Sequence, residues 1–131
     1  MEILTFPIKP VAKGRPRVAL RGRFAHAYTP QKTRDFEDEI RILARKQWKK
    51  PPIVGPVEVE IMFCFQNPRV TKKTQFKEPH IKRPDCDNLA KGICDALNEI
   101  TWFDDSQIWK ITIQKIMVRT QKEVGIILGI S

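Results

Sequence analysis

The sequence predicts a single α/β domain over residues 1–131, a small mixed β-sheet with two main helices packed on one face, in the order β-α-β-α-β-β. Three observations point there. Two stretches place apolar residues at spacings of three and four, the mark of amphipathic helices. Four others carry dense or alternating β-branched and aromatic residues, the mark of strands. The 131-residue length suits one domain with its own core.

The first strand is predicted over Glu2–Ile8, with Pro7 and Pro10 limiting its length or holding it at an edge. From Ile3 to Arg34 there is no carboxylate, while eight lysines and arginines occur. This tract reads as a basic loop in which Gly14 and Gly22 permit close backbone approach and Phe24, His26 and Tyr28 are interleaved with the charge. Lys13, Arg15, Arg17, Arg21 and Arg23 are its candidate phosphate contacts. Read as structure alone, Phe24 and Tyr28 would tuck into the core.

A helix follows, with Phe36, Ile40, Leu43, Ala44 and Trp48 as its buried stripe. Thr33 or Thr29 is expected to cap it. Asp35, Glu37, Asp38 and Glu39 fall in its first turns, and Lys46, Lys49 and Lys50 at its end suit the helix dipole. Pro51-Pro52 stops it. These acids are assigned to the helix rather than to a metal.

Val57–Phe65 reads as a strong strand. Residues 66–84 lose periodicity and carry Arg69, Lys72, Lys73, Lys77, Lys82 and Arg83 against a single acid, Glu78. A loop this long is usually functional or disordered. Arg69, Lys72, Lys73, Lys82 and Arg83 are further candidate DNA contacts, because the loop runs straight into the most distinctive stretch of the chain.

That stretch is Arg83-Pro84-Asp85-Cys86-Asp87-Asn88-Leu89-Ala90-Lys91. A second helix begins in it, with Leu89, Ile93, Ala96, Leu97 and Ile100 as one stripe. Asp87 and Lys91 fall nearly opposite, sharing a polar face with Asn98 and, farther round, Asp95. Trp102-Phe103-Asp104-Asp105 ends the pattern. Asp85, Asp87 and Asp105 could form an open site for Mg²⁺ or Mn²⁺, which prefer hard oxygen ligands, and Lys91 could neutralise charge on a phosphate. The structural alternative makes Asp87 an N-cap or first-turn acid, Lys91 a solvated cation and Asp104-Asp105 a turn. Strands are then predicted over Ile108–Val118 and Val124–Ile130, joined by a hairpin turn at Arg119–Lys122, the last weakened by Gly125 and Gly129.

Whole-chain properties narrow the partner. A net charge of +9 and a pI near 9.8 favour a polyanion, most commonly nucleic acid. Three cysteines without paired spacing, Cys64, Cys86 and Cys94, read as reduced thiols, with Cys64 and Cys94 in the core. No apolar run approaches the ~20 residues of a membrane span. The N-terminus lacks a signal-peptide plan, so a cytoplasmic protein is expected.

Together, Asp85-Cys86-Asp87-Asn88-Leu89-x-Lys91, Asp95-Ala96-Leu97-Asn98 and Trp102-x-Asp104-Asp105-Ser106-Gln107-Ile108 resemble the RusA family of Holliday junction resolvases of bacteria and phages. Lys13-Gly14-Arg15-Pro16-Arg17 and Tyr28-Thr29-Pro30 extend the resemblance over most of the chain. It implies a Mg²⁺-dependent crossover junction endodeoxyribonuclease, a homodimer that nicks four-way DNA during recombination and repair. Its acids match Asp85, Asp87 and Asp105, its catalytic lysine matches Lys91, and Asp95 matches a recurrent acid. Cys86 stands where an apolar residue is common, and the loop before Asp85 is less alike. Competing functions are a nuclease preferring flaps or forks, and a non-cleaving architectural DNA-binding protein whose carboxylates cap a helix.

Overall fold

The computed structural model describes residues 1–14, 17–67 and 78–131, with the backbone alone of Arg21. Along the chain run β1 (Glu2–Phe6), β2 (Arg17–Arg21), β3 (Phe24–Tyr28), α1 (Gln31–Gln47), β4 (Val57–Gln66), β5 (Glu78–Pro79), α2 (Cys86–Ala96), β6 (Ile108–Val118) and β7 (Gly125–Ile130). Five strands form a mixed sheet in the order β1-β7-β4-β6-β5, in which β4 and β6 are parallel and the other pairs antiparallel. The expected β-α-β-α-β-β order is thus β1-α1-β4-α2-β6-β7, with the β2–β3 hairpin and the two-residue β5 added to it.

Alternation along the strands decides which face is covered. Val57, Val59, Ile61, Phe63 and Phe65 of β4, Ile126, Leu128 and Ile130 of β7, and Leu4 and Phe6 of β1 are all buried. They form one core with Phe36, Ile40, Ala44 and Trp48 around α1 and with Leu89, Ile93, Ala96 and Leu97 around α2. Both helices therefore serve the same apolar core, which fixes the start of α2 relative to the sheet. Cys64, Val118 and Val124 make a second, smaller cluster. Cys64 and Cys94 are buried, and all three cysteines carry free thiols. Among the described residues no helix is long and apolar enough to cross a membrane.

Several expectations need correction. Residues 119–122 do not make a hairpin. β6 and β7 flank β4 on opposite sides, so the chain crosses β4, a step of about 10 Å. β7 is consequently an inner strand, not weakened as its glycines suggested, with Ile126, Leu128 and Ile130 at most 1% exposed. Neither Thr33 nor Thr29 caps α1. Its N-cap is Pro30, without a side-chain hydrogen bond, and its first turn contains no acid, because the helix begins earlier than its apolar stripe. The Thr33 hydroxyl instead accepts from the Gly14 N–H at 2.9 Å. Helix α2 stops at Ala96, although Leu97 and Ile100 remain buried as the periodicity implied. Glu99 takes a positive φ of 67° and its N–H donates to Trp102 O, turning the chain back on itself. Asn98 accordingly leaves the polar face of the helix and accepts from the Trp102 indole at 3.0 Å.

Arg17–Tyr28 is not a loop either. It folds as a separate two-stranded antiparallel sheet. The two-residue turn Gly22-Arg23 needs a positive φ at its first position, and Gly22 supplies 62°. Phe24 and Tyr28 are 79% and 41% exposed, so neither is a core residue.

Candidate active site

The start of α2 is positioned from three sides. Asp85 is its N-cap residue, and the backbone carbonyl of Asp85 accepts from Leu89 N–H at 3.2 Å. Its carboxylate makes no capping hydrogen bond and is exposed. Asp87, in the first turn, is exposed as well. Lys91 lies one turn farther on, 63% exposed, with its ammonium 3.6 Å from the Asp95 carboxylate. Asp87, Lys91 and Asp95 repeat at four residues and so share one face of the helix.

Asp105 approaches the same helix from another element, near enough to Cys94 for its charge to act on the thiol. Asp104 and Asp105 open a short 3-10 turn at Asp105–Gln107, and their roles divide there. The Asp104 carboxylate accepts from Ser106 N–H at 3.1 Å in a reciprocal capping box with Gln107. The Ser106 hydroxyl and backbone hold the Asp104 carboxyl below its usual range. Asp105 is half-buried and close to Cys94. Burial, with the Asp105 and Asp95 charges added, pushes the Cys94 thiol up to about 12. The Gln107 amide ties this turn to Ile53 O at 2.8 Å and Gly55 O at 2.9 Å.

Two lysines anchor the surroundings. Lys13, anticipated as a DNA contact, turns inward instead: its ammonium lies 2.8 Å from both Glu37 and Asp95, and its side chain is only 20% exposed. Burial opposes its charge, but these two carboxylates overcompensate and its ammonium titrates above the usual lysine range. Its backbone N–H also donates to Asn88 O at 3.1 Å. Lys13 thereby clamps α1 to α2, and Asp95 links the clamp to Lys91. Lys115, which the sequence reading passed over, donates from β6 to Lys82 O and Pro84 O, both at 2.7 Å. It holds the two carbonyls that flank Arg83, immediately before Asp85.

Beside this point lies a groove of about 1120 Å³, whose lining includes Lys9, Arg17, Lys32 and Arg83 and reaches Pro84. His80 stacks on Phe65 within it, with ring centroids 4.4 Å apart. Arg17, Arg23, Lys82 and Arg83 are exposed, as phosphate contacts must be. Arg15, Arg69, Lys72 and Lys73 lie outside the described residues, as does the side chain of Arg21. Among the described residues, no three histidine, cysteine, aspartate or glutamate side chains are gathered as a ready metal cage. The site is open: two exposed acids at a helix start, a lysine one turn on, and Asp105 near Cys94 of the same helix.

Comparison with known proteins gives this site its chemical context. The family model described as "Endodeoxyribonuclease RusA" matches residues 7–128, nearly the whole chain. The chain belongs to the RusA endodeoxyribonuclease family. It is an enzyme that cuts phosphodiester bonds in DNA. The chain is also similar to the uncharacterized protein YqaN of Bacillus subtilis (strain 168), 29% identical over 125 residues and 88% of each protein. RusA membership makes the non-cleaving architectural alternative unnecessary.

Proposed function

We propose that this RusA-family enzyme is a divalent-cation-dependent endonuclease that resolves four-way DNA junctions by paired nicks, acting as a homodimer in recombination and repair. The observation that carries this reading is the start of α2. There Asp85, Asp87 and Lys91 stand exposed on one helix, Asp105 is brought to the same helix by a second element, and a cationic groove leads to Pro84.

In this reading Asp85, Asp87 and Asp105 hold Mg²⁺, or Mn²⁺ in its place. Their donors are hard carboxylate oxygens, which fit such ions and leave room for water and a phosphate. The exposed Asp85 and Asp87 side chains are free to swing toward Asp105. The bound cation supplies an activated water and positive charge beside the scissile phosphate. Lys91 neutralises the charge that grows on the phosphate or the leaving oxygen, and Asp95 restrains its ammonium from behind. Asp104, committed as a cap, is left out of the ligand set. A four-way junction has approximate two-fold symmetry, so paired nicks require two active sites at fixed separation, which an isologous dimer provides.

A synthetic four-way junction incubated with and without Mg²⁺ tests the reading. Symmetric nicks that require the metal are expected. Asp87→Asn should lower the nicking rate by more than about 100-fold while junction binding persists. Nicking by Asp87→Asn at the normal rate would overturn the site. Faster cutting of flaps or forks would keep the nuclease and change its substrate.

A further inference from the structure

The β2–β3 hairpin projects from the body, and its register sorts its residues onto two unlike faces. Cross-strand partners are Arg17 with Tyr28, Ala19 with His26, and Arg21 with Phe24 on one face. Val18 with Ala27 and Leu20 with Ala25 make up the other. Alternation along a strand puts Phe24, His26 and Tyr28 on a single side, with the Arg17 guanidinium at its base. That side is open: Phe24 is 79% exposed, and His26 and Tyr28 are exposed too. At the root of the hairpin, Arg17 lines the groove that ends at Pro84.

Exposed rings are expensive to leave in water, so their regular placement calls for an occupant. Successive same-side residues of a strand stand about 6.6–6.8 Å apart. Nucleic-acid bases stack at about 3.4 Å, so one base lying between two rings needs about twice that distance. Phe24, His26 and Tyr28 therefore offer two slots, each as wide as a flat base requires. Every base has a π-face, so such slots would be indifferent to sequence. The charge agrees, because the hairpin has arginines and no carboxylate. Paired bases inside a continuous duplex cannot enter these slots. Unpaired bases, such as those frayed at a branch point, can.

We propose that the Phe24–His26–Tyr28 side of the hairpin is a stacking platform for unpaired nucleobases, and that it gives the enzyme its preference for branched or single-stranded DNA over linear duplex. This rests on the junction reading for the source of the bases, but its test stands apart from that reading. The probes are a four-way junction, a linear duplex of the same length and a single-stranded oligonucleotide. Binding is measured without Mg²⁺ for the wild type and for Phe24→Ala, Tyr28→Ala and Phe24→Trp, with circular dichroism as the check on folding.

Each alanine variant should lose roughly 5- to 100-fold in affinity for the junction and the single strand, the range expected for one stacked base. Affinity for linear duplex should change less than about twofold, and Phe24→Trp should bind like the wild type. Equal losses on all three DNAs would assign the rings a general structural role and overturn the proposal, as would no loss on any. If the enzyme proves indifferent to junctions while single-strand binding still depends on Phe24, the junction reading fails and the platform stands. If junction nicking is confirmed with Phe24 irrelevant to every probe, the platform fails alone.

Discussion

At the scale of the residue, Lys115 and His80 show what the chain commits around the start of α2. Lys115 lies in the same phase of β6 as Ile111, Ile113 and Met117, opposite the buried Phe63. A charge in an apolar phase was a legible signal. It was missed because nothing in the sequence tells which backbone carbonyls will approach it. Its two 2.7 Å hydrogen bonds carry the rigidity of β6 into the backbone that delivers Asp85. Lys115→Met keeps the apolar stem and removes both bonds. The variant should unfold about 1–2 kcal/mol more easily, a modest loss because the freed carbonyls can rehydrate. It should also lower kcat about tenfold or more with KM little changed, since it misplaces Asp85 without touching the groove cations. Burial of its ring, with the Lys115 and Lys82 charges nearby, holds the His80 imidazole below its ordinary value of 6.5. The native state then binds fewer protons than the unfolded chain near and below that value. Stability is full above it and falls as the pH drops through the depressed native pKa. Thermal unfolding between about pH 7.5 and 5.5 should show the midpoint falling with pH, and His80→Phe, which preserves a ring against Phe65, should flatten that part of the curve.

At the scale of the element, periodicity disclosed what burial dictates and little else. Both helices and the strands of the large sheet were legible, because one-sided burial writes itself into spacing: Leu89, Ile93, Ala96, Leu97 and Ile100 are all buried as their spacing required. Helix ends, strand order and the hairpin were not. The turn at Glu99 depends on a hydrogen bond to Trp102, and no periodicity encodes it. The hairpin has no buried side to generate a pattern of its own, although Gly22 between two short alternating runs was a usable clue. At the site, Asp85, Asp87 and Lys91 could be grouped from sequence because one helix carries them. Asp105 was chosen over Asp104 by resemblance alone, and the cap that occupies Asp104 is visible only in the structure. The inner position of β7, between β1 and β4, has a consequence at Gly125. A Cβ on Gly125 would stand 2.6 Å from the Phe6 carbonyl oxygen, a contact with backbone that cannot move aside cheaply. Gly125→Ala should cost about 1–3 kcal/mol in chemical denaturation, whereas an edge strand would absorb the same methyl with little loss.

At the scale of the whole molecule, charge is divided between cations that hold the fold and cations left for a ligand. Lys13, Arg41, Lys50 and Lys110 are paired with Glu37 and Asp95, Asp38, Glu2 and Glu58 respectively. Among the described residues no ion pair is recorded for Arg17, Arg23, Lys82 or Arg83, which lie in the hairpin and in the approach to Asp85. The excess of +9 is therefore concentrated in the segments where DNA is expected to lie. Neutralising phosphates with such groups releases condensed counterions, and log affinity then falls linearly with log salt. A footprint of six to ten phosphates would lose roughly 10³–10⁵ in affinity between about 50 and 200 mM salt. Arg83→Gln should shallow the slope by about one phosphate equivalent, because its guanidinium is exposed beside the groove. Lys13→Gln should instead leave the slope unchanged and lower stability by about 1–3 kcal/mol, since it strips a cation from the buried Glu37 and half-buried Asp95 carboxylates. Titrations of a fluorescent junction at several salt concentrations, paired with unfolding curves, separate the two kinds of lysine and arginine. A slope that responds to Lys13 and ignores Arg83 would reverse the division of charge drawn from the ion pairs.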